Sequence, residues 1–380
     1  MKIGIVGGGP AGLFFAYLMK KHDPAHEIRV VERDRENNTY GFGVVFSDIA
    51  LSFINDVDAE LFDALTRDQV VYDSMRIVHK GQSVRLANNV FYRMSRIDLL
   101  QVLHRFCADA DVALAFNHNA PDLTQFADCD LIVAADGASS GIRSRHHDRF
   151  LPDVDIRPNK LAWYATTQSI DPLSLIFRET GEGLMIAHAY RYSSTRTTFL
   201  VECDPQTWQR AGLDSLSERA SVAYCERVFS ADLGGHPLLS NKSAWFNYFI
   251  VKNRNWHFDN VVLLGDALRT GHPSVGSGTR LAMQDSIALF DACADHGGDI
   301  PAVLRAFELR RRPGSDALQH AAIKSAQWYE TVSSKLHLDP VSFAYDYLRR
   351  TGKVTHADLQ RRDPDLIAAY EKLHPEGLSA

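Results

Sequence analysis

The chain has 380 residues, 45% of them hydrophobic, which exceeds one ordinary domain and can fill a sizeable core. Its formal charge of -6 offers no electrostatic reason to expect nucleic acid or a membrane as a partner. The five cysteines lack paired or metal-ligand spacing, so we expect reduced thiols and no metal site. Because a strand begins beside Met1 and no apolar run approaches about 18 residues, we expect a cytoplasmic protein without signal peptide or spanning helix.

The chain start carries a dinucleotide-binding fingerprint. Residues 2–6 form an apolar run typical of a buried strand, and the glycine-rich turn at residues 7–12 leads into a helix. The glycines allow a tight turn and close approach of a pyrophosphate, and an acidic residue after the second strand can bind the adenosine ribose. This pattern does not distinguish NAD from FAD. Its predicted cofactor-binding residues are Gly7, Gly9, Gly12, Glu32 and Arg33.

The next segments combine short strands with one helix. Apolar runs predict strands at residues 75–79 and 83–86, and helical periodicity predicts a helix over residues 96–109. A further apolar strand ends at Asp136 and Gly137, which are candidate cofactor contacts.

Residues 160–202 read as a strand-rich insertion that should form a sheet capping the cofactor. The predicted strands are residues 161–168, 174–178, 184–192 and 197–202. Alternation along residues 184–192 places His188, Tyr190 and Tyr192 on one face. His188 is either a base or hydrogen-bonding partner for a substrate or a buried histidine bonded to the backbone. Tyr190 either packs against a substrate ring or belongs to the core.

The segment around Asp266 indicates a flavin. An apolar strand ends there, and a carboxylate can accept hydrogen bonds from ribityl hydroxyls but would be repelled by a diphosphate. After Pro273, Gly276 and Gly278 let the backbone approach a flat ring. The helix from about Thr279 directs its N-terminal amides at that ring, where they would stabilise negative charge on a reduced flavin.

The cofactor motifs begin near residues 3, 131 and 261, so we expect the cofactor domain to be assembled from separated segments. The predicted fold class is α/β (α+β), a Rossmann-like FAD-binding domain with an inserted strand-rich substrate domain and C-terminal helices. The FAD-binding domain is predicted over residues 1–72, 96–158 and 255–315, the substrate-binding domain over 73–95 and 159–254, and the C-terminal helical region over 316–380. Within the last region, residues 321–336 and 359–373 are helix candidates.

In this order the motifs resemble those of the single-component FAD-dependent aromatic monooxygenases of p-hydroxybenzoate hydroxylase type, over nearly the whole chain. Within that group the chain is most similar to the salicyloyl-CoA and anthraniloyl-CoA hydroxylases, and next to the tryptophan-derived hydroxylase of violacein biosynthesis. The shared stretches are residues 41–48 (GFGVVFSD), 187–203 and 276–283. Two positions depart from the relatives: Arg269 stands where many carry His, and Pro273 where close aryl-CoA relatives commonly carry Phe.

The resemblance implies hydroxylation of the ring of an aryl-CoA thioester, as in salicyloyl-CoA 5-hydroxylases, by a monomer or homodimer. NADH or NADPH would reduce FAD, O2 would add at flavin C4a, and the hydroperoxide would attack an electron-rich ring. It also implies that Arg96 contacts the flavin and that the backbone at His272 and Pro273 lines the oxygen site. His188, Tyr190, His272 and Pro273 are therefore the candidate catalytic residues.

Several alternatives stay open at this point. Arg76, Lys80, Arg85 and Arg93 form either a groove for CoA phosphates or a solvated charged face. Arg269 pairs with the flavin pyrophosphate, with the anionic tail of the substrate or with a surface carboxylate. The substrate is alternatively a free aromatic acid or an indole, and the chain is alternatively a non-catalytic FAD-binding protein. A halogenase is disfavoured because the WxWxIP segment is missing.

Overall fold

A computed structural model describes residues 1–36, 38, 42–47, 49–67, 70–89, 91–120, 122–276 and 278–375. Gly41, Asp48 and Ser277, which belong to the stretches that carry the resemblance, lie outside the described residues. The strands are β1 (Lys2–Val6), β2 (Glu27–Val31), β3 (Gly43–Ser47), β4 (Val70–Tyr72), β5 (Met75–His79), β6 (Gln82–Leu86), β7 (Phe91–Ser95), β8 (Ala113–Ala115), β9 (Leu131–Ala134), β10 (Pro152–Thr166), β11 (Leu173–Glu179), β12 (Leu184–Arg191), β13 (Thr197–Cys203), β14 (Leu238–Ser240), β15 (Phe246–Asn253), β16 (His257–Phe258) and β17 (Val261–Leu263).

Helices cover the sheets and form the C-terminal part. They are α1 (Pro10–His22), α2 (Ile49–Val57), α3 (Ala59–Thr66), α4 (Arg96–Asp109), α5 (Gly141–Arg145), α6 (His147–Phe150), α7 (Pro205–Arg210), α8 (Glu218–Val228), α9 (Ser230–Leu233), α10 (Gly278–His296), α11 (Ile300–Thr331), α12 (Pro340–Arg349), α13 (His356–Arg362) and α14 (Pro364–Leu373). Over the described ranges, no helix has both the length and the apolar character needed to cross a membrane.

The first sheet has the strand order β16-β17-β9-β1-β2-β8 and is parallel except for β16. Its central strands are buried on both faces, which explains their continuous apolar runs. The three strands that precede the predicted cofactor motifs, β17, β9 and β1, are direct neighbours. Because neighbouring parallel strands end at the same edge, their following loops converge there.

The second sheet has the order β14-β10-β13-β12-β11-β5-β6, and β15 pairs with β10. Phe199 on one face packs against Cys225 and Phe229, while the other face, which includes Ile186, packs on Trp328 and its neighbours. The predicted strands are confirmed, although β10 begins at Pro152, well before the predicted start. The predicted domain boundaries stay a prediction.

The small third sheet has the strand order β3-β7-β4. β7 runs directly into α4, the helix predicted over residues 96–109. Gly43 in β3 lies against β12 and β13: its N–H donates to Thr198 Oγ1 at 3.1 Å, and a Cβ there would lie 2.5 Å from Tyr192 Cβ. Only glycine therefore allows this approach.

The C-terminal helices differ in part from the predicted ones. The candidate at residues 321–336 is the last part of the long helix α11, followed by a short 3-10 turn. The candidate at residues 359–373 is two helices, because Asp363 caps α14 and Pro364 begins it. Proline lacks the N–H that a continuous helix needs at that position.

Candidate active site

A cleft of about 360 Å³ opens at the carboxyl edge of the first sheet. The turn after β1, the segments after β2 and β8, the start of α4 and the loop after β9 line it. The cleft therefore brings together residues from five separate parts of the chain. The predicted cofactor-binding residues that line it are Gly7, Gly9, Glu32, Arg33, Arg96, Asp136 and Gly137.

The glycines of the first turn have two different roles. A Cβ at Gly12 would lie 2.3 Å from the Gly7 carbonyl oxygen, so this glycine is required by packing within the protein. A Cβ at Gly9 would meet no described atom within 4 Å. Gly9 is also the N-cap of α1, which has no side-chain cap and no acidic residue in its first turn. Free amides beside open space suit a pyrophosphate.

Carboxylates follow two strands of the first sheet, Glu32 after β2 and Asp136 after β9. Glu32 accepts hydrogen bonds from the N–H groups of Gly8 at 2.7 Å and Asp34 at 2.8 Å, which hold it beside the glycine turn. Asp136 Oδ2 accepts from Ile142 N–H at 3.1 Å, whereas Asp136 Oδ1 is buried without a partner among the described residues. An unpaired buried carboxylate oxygen indicates a donor supplied by a ligand.

The loop after β17 approaches the same edge. Arg143 joins it to the loop after β9, since its Nη1 donates to Ala267 O at 2.9 Å and its Nη2 to Ala138 O at 2.5 Å. Burial raises the pKa of Asp266, although Arg96 opposes the rise. A hydroxyl that donates a hydrogen bond to Asp266 would compensate this carboxylate for its lost hydration. The free amides at the start of α1, the carboxylates and Arg96 together fit FAD.

A buried polar group lies on the second sheet. His188 Nε2 is 3.0 Å from Glu202 Oε2, and Glu202 Oε1 accepts from Asn159 Nδ2 at 2.7 Å. Burial works to raise the pKa of Glu202, but hydrogen bonding with His188 and Asn159 and the nearby His272 lower it overall. The ionised carboxylate accepts the hydrogen on His188 Nε2, so Nδ1 carries the lone pair that can take up a proton.

The loop that carries His272 packs beside this group. His272 is 2% exposed, and its ring lies 6.1 Å from that of Tyr329 and 5.5 Å from that of Tyr248. Burial lowers the pKa of His272 to about 4, so the ring is neutral at pH 7. The Tyr329 ring is also 5.0 Å from His188, and its hydroxyl is buried without a partner among the described residues. This hydroxyl could bind a polar atom of a substrate.

The remaining residues predicted from the sequence for this site are Tyr190, Pro273, Gly276 and Gly278. Tyr190 donates from its hydroxyl to Gly43 O at 3.0 Å, and burial raises the pKa of Tyr190 to about 12. Pro273 begins a short 3-10 turn that ends at Gly276, whose φ of +58° favours glycine. Gly278 begins α10. The roles assigned to these residues from the sequence stay predictions.

Two interpretations of arginines need correction. Arg93 does not belong to an exposed basic groove or face: it is 1% exposed, stacks on Tyr72 at 3.6 Å and lies 3.4 Å from Asp171. Arg269 is not a surface residue, because it is buried and its Nη2 donates to Asp285 at 2.6 Å. It also does not line the cleft at the carboxyl edge of the first sheet, which we call the dinucleotide cleft.

The remaining basic candidates are nearer to the surface. Arg76 donates to Ser174 Oγ at 2.8 Å, Lys80 to His337 O at 3.0 Å and Arg85 to Asp73 at 3.1 Å. These three residues belong to the hairpin of β5 and β6 or to its turn. A CoA groove built from them stays a prediction.

Sequence reasoning missed Glu202, Asn159, Tyr248 and Tyr329. Glu202 had a signal, since it is the one charged residue of β13, whose residues are otherwise apolar or hydroxyl-bearing. An acid within such a strand is buried at a cost unless it has a function or a partner. The other three carry no local signal, because their importance depends on contacts with residues distant in sequence.

Comparison with known proteins agrees with this geometry. The sequence pattern of the FAD binding domain family matches residues 109–320. The chain is 36% identical to a salicyloyl-CoA 5-hydroxylase from a Streptomyces species, over 92% of this chain and 70% of that protein. It is 35% identical to protodeoxyviolaceinate monooxygenase from Chromobacterium violaceum, over 91% and 94% of the respective chains.

A third relative is the 3-hydroxy-4-methyl-anthranilyl-[aryl-carrier protein] 5-monooxygenase of Streptosporangium sibiricum, 35% identical over 94% of this chain and 97% of that protein. Among solved structures, 2-methyl-3-hydroxypyridine-5-carboxylic acid oxygenase superposes with a TM-score of 0.71 over 97% of both chains, at 17% identity. Tetracycline destructase Tet(55) gives 0.67 over 94% of this chain and 97% of that one, at 16% identity. These two structures show the shared fold.

The fold and the cleft are those of an FAD-binding protein. The chain belongs to the FAD binding domain family and is an FAD-dependent aromatic monooxygenase.

Proposed function

We propose that the protein hydroxylates the ring of an aryl thioester, with salicyloyl-CoA as the preferred candidate, and uses NADH or NADPH and O2. Two relatives support a thioester, since one is named for salicyloyl-CoA and another for an anthranilyl group on an aryl-carrier protein. A free carboxylate usually needs a bidentate arginine. The β12 and β13 positions that share a face with His188 are residues 184, 186, 190, 198, 200 and 202, none of which is arginine.

The observation that carries the proposal is the pair formed by His188 and Glu202. A neutral imidazole with its lone pair on Nδ1 can take the proton of a ring hydroxyl or amine, which makes the ring more electron-rich. Glu202 orients the imidazole and would stabilise the positive charge that His188 acquires. Tyr329, whose ring centroid lies 5.0 Å from that of His188, would pack against the substrate ring.

FAD, once bound and reduced by NADH or NADPH, supplies the oxygen chemistry. Gly9, Glu32, Asp136 and Asp266 would hold its dinucleotide and ribityl parts, and Arg96 would lie beside them. The buried Tyr329 and the partly buried Tyr248 beside His272 would help to exclude water from the reacting centre. His272 is neutral there, so it adds no charge to that apolar wall.

The second candidate is a free aromatic acid or an indole-type substrate, favoured by the similarity to protodeoxyviolaceinate monooxygenase. Because the chain is an aromatic monooxygenase, the non-catalytic alternative is dropped. Both remaining candidates use the same FAD and a base for the ring.

Turnover by the FAD-loaded protein tests the proposal. NADH and NADPH consumption and product mass are compared with salicyloyl-CoA, anthraniloyl-CoA, free salicylate and tryptophan. A gain of one oxygen atom with an aryl-CoA alone supports the thioester, whereas turnover of salicylate or tryptophan alone overturns it.

Variants of the pair test the role of His188 and Glu202. We expect His188→Gln to lower kcat about 100-fold, the usual contribution of a general base, and Glu202→Gln to lower it and to shift its pH profile. Glu179→Gln, on the exposed end of β11, is the matched control and should change neither. FAD content should stay unchanged in all three. A normal pH profile in Glu202→Gln would show that Glu202 is only structural.

A further inference from the structure

A second cleft, of about 540 Å³, shares no lining residue with the dinucleotide cleft. The start of β10, the end of β15, the loop after β17 and α11 form its walls. Four basic side chains line it against two acidic ones. These charged residues are Lys252, Arg254, Arg269, Arg312, Asp153 and Asp316. The excess of basic groups favours an anion.

Arg269 is the buried member of this set. It is 5% exposed, and its Nε and Nη1 are buried without a hydrogen-bond partner in the part of the chain that the structure describes. An unpaired guanidinium N–H away from water is costly, so most buried donors have an acceptor. Two unsatisfied donors on a wall of the cleft indicate an acceptor that enters from the cleft.

Arg269 shares its carboxylate partner with a second arginine. Asp285 Oδ1 accepts from Arg269 Nη2 at 2.6 Å and also from Arg311 Nε at 2.7 Å. One buried carboxylate therefore serves two guanidinium groups, although Asp266 is a second carboxylate that interacts electrostatically with Arg269. The ring of Trp256 adds apolar surface, since it lies 5.6 Å from the Arg269 guanidinium and 4.8 Å from that of Arg312. Anions bind strongly to arginine in such an environment.

One acceptor in the cleft is also unsatisfied. Asn253 uses its Nδ2 for Ala267 O and Leu268 O, while its Oδ1 is buried without a partner among the described atoms. A ligand that fits both Arg269 and Asn253 carries an oxyanion and a hydroxyl. Hydroxycarboxylates and monoprotonated phosphates have this combination.

The cleft is connected to the loop that carries His272. Gln319, on the cleft wall, donates from its Nε2 to Thr270 O at 2.8 Å and Val251 O at 2.7 Å. Arg269 lies between Asp266 and His272 in the same loop. We propose that the cleft binds a small hydroxylated oxyanion, with Arg269 as its principal ligand, at a site distinct from the aromatic substrate and from FAD.

Calorimetric titration of the FAD-loaded protein tests this site with two probes, inorganic phosphate and lactate, and with chloride at matched ionic strength. We expect saturable binding of at least one probe and none of chloride. Binding of phosphate alone identifies phosphorylated ligands, and binding of lactate alone identifies hydroxy acids. Absence of binding of both at millimolar concentrations overturns the proposal.

Three variants locate the binding. Loss of charge-assisted hydrogen bonds in Arg269→Gln should weaken affinity about tenfold or more. Lys252→Gln, at the exposed rim, leaves the pair of Arg269 and Asp285 intact and should weaken affinity a few-fold. It therefore tests the site even if Arg269→Gln folds poorly. Arg29→Gln, at an exposed position of β2, is the matched control and should bind as the parent does. Unchanged affinity in both Arg269→Gln and Lys252→Gln would contradict the proposed site.

Discussion

At the scale of single residues, glycines of the same turn should respond differently to the same change. Gly9→Ala places its methyl group in space that no described atom occupies, so the FAD-free protein should keep its stability while FAD binding weakens strongly. Gly12→Ala places the methyl group 2.3 Å from the Gly7 carbonyl oxygen, so the FAD-free protein itself should be destabilised. Chemical unfolding and FAD titration measure the two effects. Equal loss of stability in both variants would contradict the assignment of Gly9 to ligand binding and of Gly12 to packing.

The buried His272 should make the protein sensitive to acid. Its pKa is about 4 in the folded protein, against an ordinary value near 6.5. Between these values the unfolded chain binds a proton that the folded protein does not, so the free energy of unfolding falls as the pH decreases. The loss of unfolding free energy reaches roughly 3 kcal/mol when the pH falls to the folded pKa, and there is no loss above a pH of about 6.5.

Replacement of His272 tests that sensitivity. We expect His272→Gln to lose less stability than the parent when urea unfolding is compared at neutral pH and at about pH 4.5, in the window where only the unfolded histidine is protonated. His147→Gln, at an exposed position, should lose as much as the parent. A parent and a His272→Gln variant with the same acid dependence would exclude a buried neutral imidazole.

At the scale of elements, one largely buried ion pair joins the second sheet to the C-terminal helices. Arg157 in β10 donates to Glu330 in α11 through its Nε at 2.8 Å and its Nη2 at 2.5 Å, and both side chains are 12% exposed. Removing one partner leaves a buried charge, so Arg157→Met should lower the free energy of unfolding by about 3 kcal/mol. The double variant Arg157→Met with Glu330→Met should recover most of that loss.

Chemical unfolding of the parent, both single variants and the double variant measures the coupling. The exposed pair of Arg149 and Asp259 is the control, and Arg149→Met should cost less than about 1 kcal/mol. Additive effects of the Arg157 and Glu330 substitutions would show that the pair does not join the elements. Because α11 carries Tyr329, the single variants should also disturb the contact with His188.

Elements were predictable where the decisive signal is local. The helix over residues 96–109 and the strands before the cofactor motifs follow from periodicity and apolar runs, and the structure has them at those positions. The pair of His188 and Glu202 depends on the register of β12 against β13, which no local pattern contains. Arg93 was misjudged for the same reason, since Tyr72 and Asp171 reach it from other parts of the chain.

At the scale of the whole molecule, the cofactor should act as a structural connection. The loops after β1, β9 and β17 are distant in sequence but meet at one sheet edge. A ligand that contacts all of them binds the folded chain and not the unfolded one, and free FAD at 100 times its Kd should add about 2.7 kcal/mol to the free energy of unfolding. FMN lacks the adenosine that Glu32 would bind, so it should stabilise the FAD-stripped protein less at equal concentration. Urea unfolding with either flavin measures the difference. Equal stabilisation by FMN would mean that the cleft after β1 and β2 contributes nothing to binding, and that the flavin is held by the segment around Asp266 alone.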